Sequence, residues 1–422
     1  MKSRANIWVA GGILALVVVL VGCGSQFLAG GKLHFSQNRF DRALENFDKA
    51  IAEQPNNGEA HMWRGRTLAE LERDDEAVVE LRKAVELDPL QEEMVRNSFI
   101  SYWSKRYNSA LLFAKEAMEK TGDDQKASLE KARERFERAI VFAPDSVQNY
   151  SNLGKVLYQL GDMGQAMAMF DKSRQLSAGR PDLQQFLFTL YKFFGEQSLS
   201  DENRAGYERA LALLHNAESM PTANQGDQIE VYFNIATAYY SLSDSVAEAE
   251  RIPTLQKAAE YYEKVLALAP DDPDALTNLA YVLSDEGQGD AALQRGQQRY
   301  DQAPWDSESN LFMERLYKAA GNDKMANGHI LMAQMMVQGR RQPDTAARDE
   351  AQAAGPTSDA LKVLRDRGIP QEVRKLEAGD NPYSVWCYWS DGRAYIFRGG
   401  REQVRISFKP LTPEQLKTAM QS

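Results

Sequence analysis

The chain has 422 residues, room for two or three domains, and its 43% hydrophobic and 26% charged content is that of a folded protein. Sixty acidic against 50 basic residues leave a net charge of −10. With no basic excess to neutralise phosphates, nucleic acid is excluded as the expected partner.

At the N-terminus Lys2 and Arg4 precede an uncharged run from Ile7 to Gly22, which Cys23 ends. A charged start, an apolar stretch and small residues at the break describe an export signal rather than part of a fold. The tetrad Leu20-Val21-Gly22-Cys23 resembles a bacterial lipobox. That resemblance implies a signal peptide over 1–22 and a lipidated Cys23 as the first mature residue. An uncleaved anchor with an incidental cysteine is the other reading, and both readings export the rest of the chain and tether it to a membrane. Gly24 and Ser25 come next, with no aspartate after the cysteine. In lipoproteins this implies sorting to the outer membrane, facing the periplasm, if the organism is Gram-negative. A lipidated Cys23 leaves Cys387 unpaired, so no internal disulfide is expected.

From residue 26 onward a pattern repeats. Ala43, Phe47, Ala50 and Pro55 return as Ala77, Leu81, Ala84 and Pro89, each offset by 34 positions. Further copies run through Ala132, Phe136, Ala139 and Pro144, through Ala166 and Phe170, and through Ala258, Tyr262 and Pro270, with a weaker one at Ala292 and Pro304. Tyr150, Leu153, Gly154, Leu157 and Gly161 supply the large residues of a preceding helix, spaced three or four apart on one stripe. A small residue at the eighth position lets helices approach, and glycine at the fifteenth suits the turn. The pattern is identified with the tetratricopeptide repeat (TPR), whose units stack into a right-handed superhelix with a concave wall. The resemblance implies about seven to eight irregular repeats over 23–336 and a protein that binds other proteins.

Three insertions break the period. Pro89 to Pro144 carries about 21 extra residues, and Asn97 to Lys120 is apolar enough for a longer or additional helix. Pro181 to Pro221 is a second enlarged unit, and Ser241 to Pro253 is read as an insertion between two helices. The methionines of Asn310 to Met336 suit a capping helix against a following domain.

Residues 337–358 are polar and alanine-rich with prolines near both ends and read as a linker. A small α+β domain is expected over 359–422. Ser358 or Asp359 caps a helix that Gly368 ends, and Pro370 opens a short helix through Val373 and Leu376. Val385, Cys387 and Trp389 then alternate with Trp386 and Tyr388, Asp391-Gly392 is a two-residue hairpin signal, and Gly399-Gly400 turns into a third strand. Thr412 and Gln415 form a capping box for a last helix. Gly368, the Gly379 to Pro382 motif and the aromatic hairpin are similar to the SmpA/OmlA-type lipoproteins, which implies a role in outer-membrane protein assembly. A generic three-stranded cap is the alternative.

Chemistry is poorly represented. His34, His61, His215 and His329 make no zinc motif, and there is no phosphate-binding loop or serine elbow. Ser128 to Lys131 matches S-x-x-K without its partner motifs, and Cys387 between two aromatics reads as a packed thiol. No enzyme activity, cofactor, metal or small-molecule substrate is expected. Binding has better candidates. Asn152, Asn234 and Asn278 stand at the sixth position of three repeats, which in the resembled family faces the concave wall. Amides carry both a donor and an acceptor and can pair with an extended peptide backbone. A consensus residue without a binding role is the competing reading. Lys155, Tyr158, Phe233, Thr237, Tyr240, Thr277 and Tyr281 are expected on the same face. The functional expectation is a lipid-anchored adaptor or scaffold in the bacterial envelope. The alternatives are an assembly factor for outer-membrane proteins, pili or secretion machinery, and, on compartment alone, a cell-wall enzyme.

Overall fold

The computed structural model describes residues 26–221, 224–343, 345–377 and 382–421. The lipobox, Cys23 and most of the Gly379 to Pro382 motif lie outside these residues. The chain divides into two compact units, 1–187 and 188–422.

The first unit holds α1 (Gln26–Ser36), α2 (Phe40–Glu53), α3 (Gly58–Glu70), α4 (Asp74–Leu87), α5 (Glu92–Met118), α6 (Gly122–Phe142), α7 (Val147–Gln159), α8 (Met163–Leu176) and the start of α9 (Pro181–Leu199). Helices start where the sequence caps them: the Asn57 and Ser146 side chains accept from the third backbone N–H of α3 and α7. They stop where proline forces the preceding residue out of helical geometry. Gln54, Asp88 and Ala143 leave helical geometry with φ of −134°, −145° and −138°, each just before a proline.

The repeat's small residues sit at helix crossings. A Cβ on Gly154 would lie 2.5 Å from the Phe170 ring, and one on Gly31 would lie 2.4 Å from Phe47. The turns inside hairpins need a left-handed residue, which Gly161 supplies at φ 81° and which Asn38 (57°) and Glu72 (61°) supply without the glycine. The first insertion forms long helices on either side of a short turn at 119–121: α5 has 27 residues and α6 has 21. Arg106, only 2% exposed, fixes α5 to α4 by two hydrogen bonds to the Asp74 carboxylate, at 2.8 and 3.0 Å, and one to the Ala69 carbonyl at 2.7 Å. Ser128 accepts from Lys120, not from Lys131, whose ammonium lies over the Phe113 ring, so the S-x-x-K pair is not assembled.

The second unit continues α9 and adds α10 (Arg204–Glu218), α11 (Gln225–Ser243), α12 (Glu248–Leu268), α13 (Pro273–Asp285), α14 (Gly289–Tyr300), α15 (Ser307–Ala319) and α16 (Asp323–Gln338). The expected insertion at Ser241–Pro253 is not a separate loop. α11 runs on to Ser243, and α12 begins at Glu248 with Pro253 inside it, which leaves a turn of 244–247.

The C-terminal region departs from expectation at three points. First, 337–358 is not a linker. α16 extends to Gln338, Arg340–Arg341 (β1) pair with the next strand, and Ala346–Ala353 form α17, whose Ala346, Ala347 and Ala351 are buried over Trp386, Tyr395 and Phe397. The alanines that suggested a linker allow this helix to lie close on an aromatic surface. Second, Pro370 opens no helix: after α18 (Asp359–Arg367), Glu372–Leu376 form strand β2. Its charges at alternate positions hid the strand, because Glu372 and Arg374 are both buried. Third, β3 (Tyr383–Tyr388) and β4 (Arg393–Arg398) are joined by four residues rather than two, with a 3-10 turn at Trp389–Asp391 before left-handed Gly392. The Gly399-Gly400 turn into β5 (Arg401–Ser407) has φ of 57° and 73° as a primed hairpin turn requires, and the Thr412–Gln415 box caps α19 (Pro413–Gln421) reciprocally at 3.0 and 3.3 Å.

The sheet is antiparallel in order β1-β2-β3-β4-β5. Both of its faces are buried, in the alternation read from sequence. Val385, Cys387, Ile396, Val404 and Ile406 pack with Tyr300, Met313, Leu316, Met332 and Met335 of α14–α16, so the methionine-rich helix does cap the repeats against this domain. Trp386, Tyr388, Tyr395 and Phe397 pack under α17 and α18. Polar groups join α16 to the sheet as well. Glu372 accepts from Arg374 (2.7 Å), Arg341 (2.7 Å) and Trp389 (3.0 Å), and Arg374 donates to the Met336 carbonyl at the end of α16 at 2.7 Å.

Candidate functional site

All ten expected groove residues are half-buried, on the first helices of their hairpins: Asn152, Lys155 and Tyr158 on α7, Phe233, Asn234, Thr237 and Tyr240 on α11, and Thr277, Asn278 and Tyr281 on α13. The first three belong to the first unit and the other seven to the second.

The asparagines are engaged with neighbouring helices. Asn152 donates to the Tyr107 hydroxyl at 2.8 Å, and Asn234 donates to the Glu196 carboxylate at 3.1 Å. Asn278 bonds the Tyr262 hydroxyl, which also meets the Thr237 hydroxyl at 3.1 Å. Burial pushes Tyr262 up to about 12, so that hydroxyl keeps its proton and stays a donor. Burial likewise raises the Glu196 carboxyl, with Lys192 pulling the other way. The Lys155 ammonium lies 5.1 Å from the Phe186 ring centre, and burial lowers its pKa. Each amide thus ties its helix to an earlier one, Asn152 and Asn234 two helices back and Asn278 one, a structural task alongside any binding one.

Further along the second unit the face opens. Thr277, Tyr281, Arg299, Glu308, Ser309, Leu311, Phe312 and Arg315 enclose a cavity of about 360 Å³. α13 and α15 both start at a capping aspartate, Asp272 and Asp306, which accept from Ala275 N–H and Ser309 N–H at 2.8 Å each. Tyr281 packs edge-on to Phe312 at 5.4 Å and accepts from Arg315 at 3.4 Å.

Of the residues read from sequence, only Thr277 and Tyr281 line this cavity. Arg299, Glu308, Ser309, Leu311, Phe312 and Arg315 are not among those residues, although the period pointed to some of them. Displaced by one 34-residue period, Thr277 and Tyr281 fall on Leu311 and Arg315. The last repeat simply carries different chemistry at the same positions.

Other reactive-looking groups are packed. Cys387 is fully buried and burial raises its thiol further, which removes it as a nucleophile. His329 is buried with Nδ1 3.0 Å from Asn310 Oδ1, an oxygen that also accepts from the Tyr300 hydroxyl at 3.0 Å. Burial lowers it to about 3, so it is neutral at ordinary pH. Among the described residues no three His, Cys, Asp or Glu side chains gather as a metal site, and no helix is long and apolar enough to cross a membrane.

Helical hairpins with small residues at crossings, a turn glycine and a terminal proline define a helical-repeat protein. Tetratricopeptide-repeat models match residues 28–92, 147–178 and 254–298, and the chain is a tetratricopeptide-repeat protein. Solved structures similar to it include YrrB, a TPR protein with an unusual peptide-binding site. It is 18% identical at a TM-score of 0.32, over 49% of this chain and 93% of that one. PilF of Pseudomonas aeruginosa is 18% identical at 0.28, over 56% and 95%. PilW, a type IV pilus biogenesis factor, is 16% identical at 0.29, over 53% and 92%. No curated protein matches the chain.

Proposed function

We propose that this protein is a lipid-anchored adaptor of the bacterial envelope, held to a membrane through Cys23 and binding an extended segment of a partner protein along the first helices of its repeats. Repeat proteins of this class supply the coarse reading, protein–protein interaction. The observation that carries the finer one is the cavity between α13 and α15. Its wall offers an aromatic and aliphatic floor in Tyr281, Phe312 and Leu311, hydroxyls in Thr277 and Ser309, and two guanidinium groups in Arg299 and Arg315 against the single carboxylate of Glu308, which leaves it net positive. A bound segment with an apolar side chain and a neighbouring carboxylate satisfies all of these at once. The carboxylate suits a chain of net charge −10, because arginines gathered in one cavity pick out their own partner against a generally repelling surface. Outer-membrane sorting, facing the periplasm, rests on the residues after Cys23.

The test is capture of partners from membranes by the full chain and by the Arg299→Glu/Arg315→Glu double variant. The proposal expects specific partners to be lost at least tenfold, about 1.4 kcal/mol or more, with no change in thermal unfolding. Equal capture by both proteins places binding elsewhere. The anchor is tested separately by labelling with a fatty-acid analogue: Cys23→Ser should abolish incorporation.

A further inference from the structure

A second cavity, of about 310 Å³, lies in the C-terminal domain, lined by Glu350, Ala353 and Ala354 of α17, Lys375 of β2, Pro382, Ser384 of β3, and the turn glycines Gly399 and Gly400. Its frame is fixed on three sides. Lys375 and Ser384 are directly paired across the β2–β3 ladder. Gly400 packs so tightly on α17 that a Cβ there would lie 2.2 Å from the Ala354 Cβ, and its carbonyl accepts from Ala360 N–H at 3.0 Å. Glu350 accepts from the Trp386 indole at 3.3 Å, which holds the carboxylate at the cavity wall.

Two features of this wall are unfinished. Ser384 is only 2% exposed, on the sheet face that Trp386 shares, yet its hydroxyl has no hydrogen-bond partner among the described residues. A buried hydroxyl left unpaired is a standing cost that a ligand atom can remove. The second feature is the loose pairing of Lys375 with Glu350, whose charged atoms are 3.9 Å apart while the two side chains are 33% and 13% exposed. Opposite charges at that distance, in a cavity, leave room for a ligand group beside each.

We infer that this cavity binds a small zwitterion, an amino acid or a short peptide with free ends, whose carboxylate takes Lys375 and the Ser384 hydroxyl and whose ammonium takes Glu350. The cross-strand donors lie side by side on β2 and β3, and the acceptor stands on α17, which matches the polarity of such a ligand. A ligand of single charge would engage one wall residue and draw it from its pairing with the other, leaving that one without an opposite charge. The volume sits at the lower end of the roughly 300–1,000 Å³ range of ligand pockets, which sets the size at one or two residues. Alanines, a proline and glycines line the remainder and leave space for small side chains only.

The experiment is calorimetric titration of the full chain with glycine, alanine and alanylalanine, alongside N-acetyl-alanylalanine and alanylalanine amide, each of which lacks one charge. The expected result is saturable binding of at least one zwitterion at millimolar concentration or below, and at least tenfold weaker binding of both capped forms. Ser384→Ala and Lys375→Met should each weaken it severalfold without lowering the unfolding temperature. Ser384→Ala leaves no polar atom unpaired, so it is the safer of the two for folding. Absence of saturable heat with every zwitterion overturns the inference. So does equal affinity for the capped forms, or affinity unchanged in both variants.

Discussion

Gly154 meets Phe170 with a fit so close that one methyl group would not enter, and no charge takes part. The sheet meets α16 quite differently: apolar side chains surround Glu372 and Arg374, two charges drawn out of water and satisfied by one another, by Arg341 and by helix-end carbonyls. One junction is made by shape and the other by shape plus a buried charge network. Shape-built junctions recur with a period and tolerate variation in the residues around them. Buried charge enters the repeats as well, off the period, at the Arg106–Asp74 pair between α5 and α4, but in the sheet's larger network the members depend on each other, since removing any one strands the rest.

That contrast can be broken at either end. The largest effect is expected from Glu372→Ala, which leaves Arg374 and Arg341 facing no carboxylate. Breaking a buried pair costs about 3–5 kcal/mol. Urea unfolding of the full chain should show the loss, and hydrogen exchange should place it in β2–β4 and the end of α16. A loss near that of an exposed pair, below about 1 kcal/mol, would mean that the charges are incidental to the junction.

The acid dependence of the same region comes next. His329 is held near 3 in the fold against an ordinary value of 6.5, so below 6.5 the unfolded chain takes up the proton first. Its contribution is therefore fully present above pH 6.5 and is lost as pH falls from there toward 3. The slope is about 1.4 kcal/mol per pH unit, or roughly 2 kcal/mol between pH 6.5 and 5. His329→Gln should flatten the dependence in that window while it lowers stability at pH 7.

At the shape-built junctions Gly154→Ala should cost about 1–3 kcal/mol through overpacking. Gly164→Ala, where the new methyl meets nothing within 4 Å, should cost nothing or add stability. Equal effects at the two sites would remove close packing as the reason for the small residue. The smallest change is Asn38→Gly, which relaxes a φ of 57° and should gain up to about 1 kcal/mol in thermal melts.

Legibility in the sequence divides along the same line. The period, the crossing alanines and glycines, the proline stops, the Gly399-Gly400 turn and the last capping box all depend on local backbone geometry, which residue identity reports directly. β2 is hidden because a buried Glu-x-Arg reads as surface until its partners are known, and they lie on β1, on the turn after β3 and on α16. α17 reads as linker in the sequence because alanine conveys no preference for burial until an aromatic face lies beneath it. The period located two of the residues that line the cavity, Thr277 and Tyr281, while the choice of asparagine as the binding element followed the repeat consensus. The amides turn out to tie helices together, while the arginines that differ from consensus are the ones lining the cavity.

The central claim is that a partner protein lies against α13 and α15. A photo-crosslinking amino acid in place of Thr277, in full-length protein made in the living cell, tests it most directly. The account predicts a discrete adduct that disappears when Arg299→Glu and Arg315→Glu are added, and none from the same probe at the exposed turn residue Gln288. An adduct that persists in the charge-reversed chain, or that forms equally from Gln288, would contradict it.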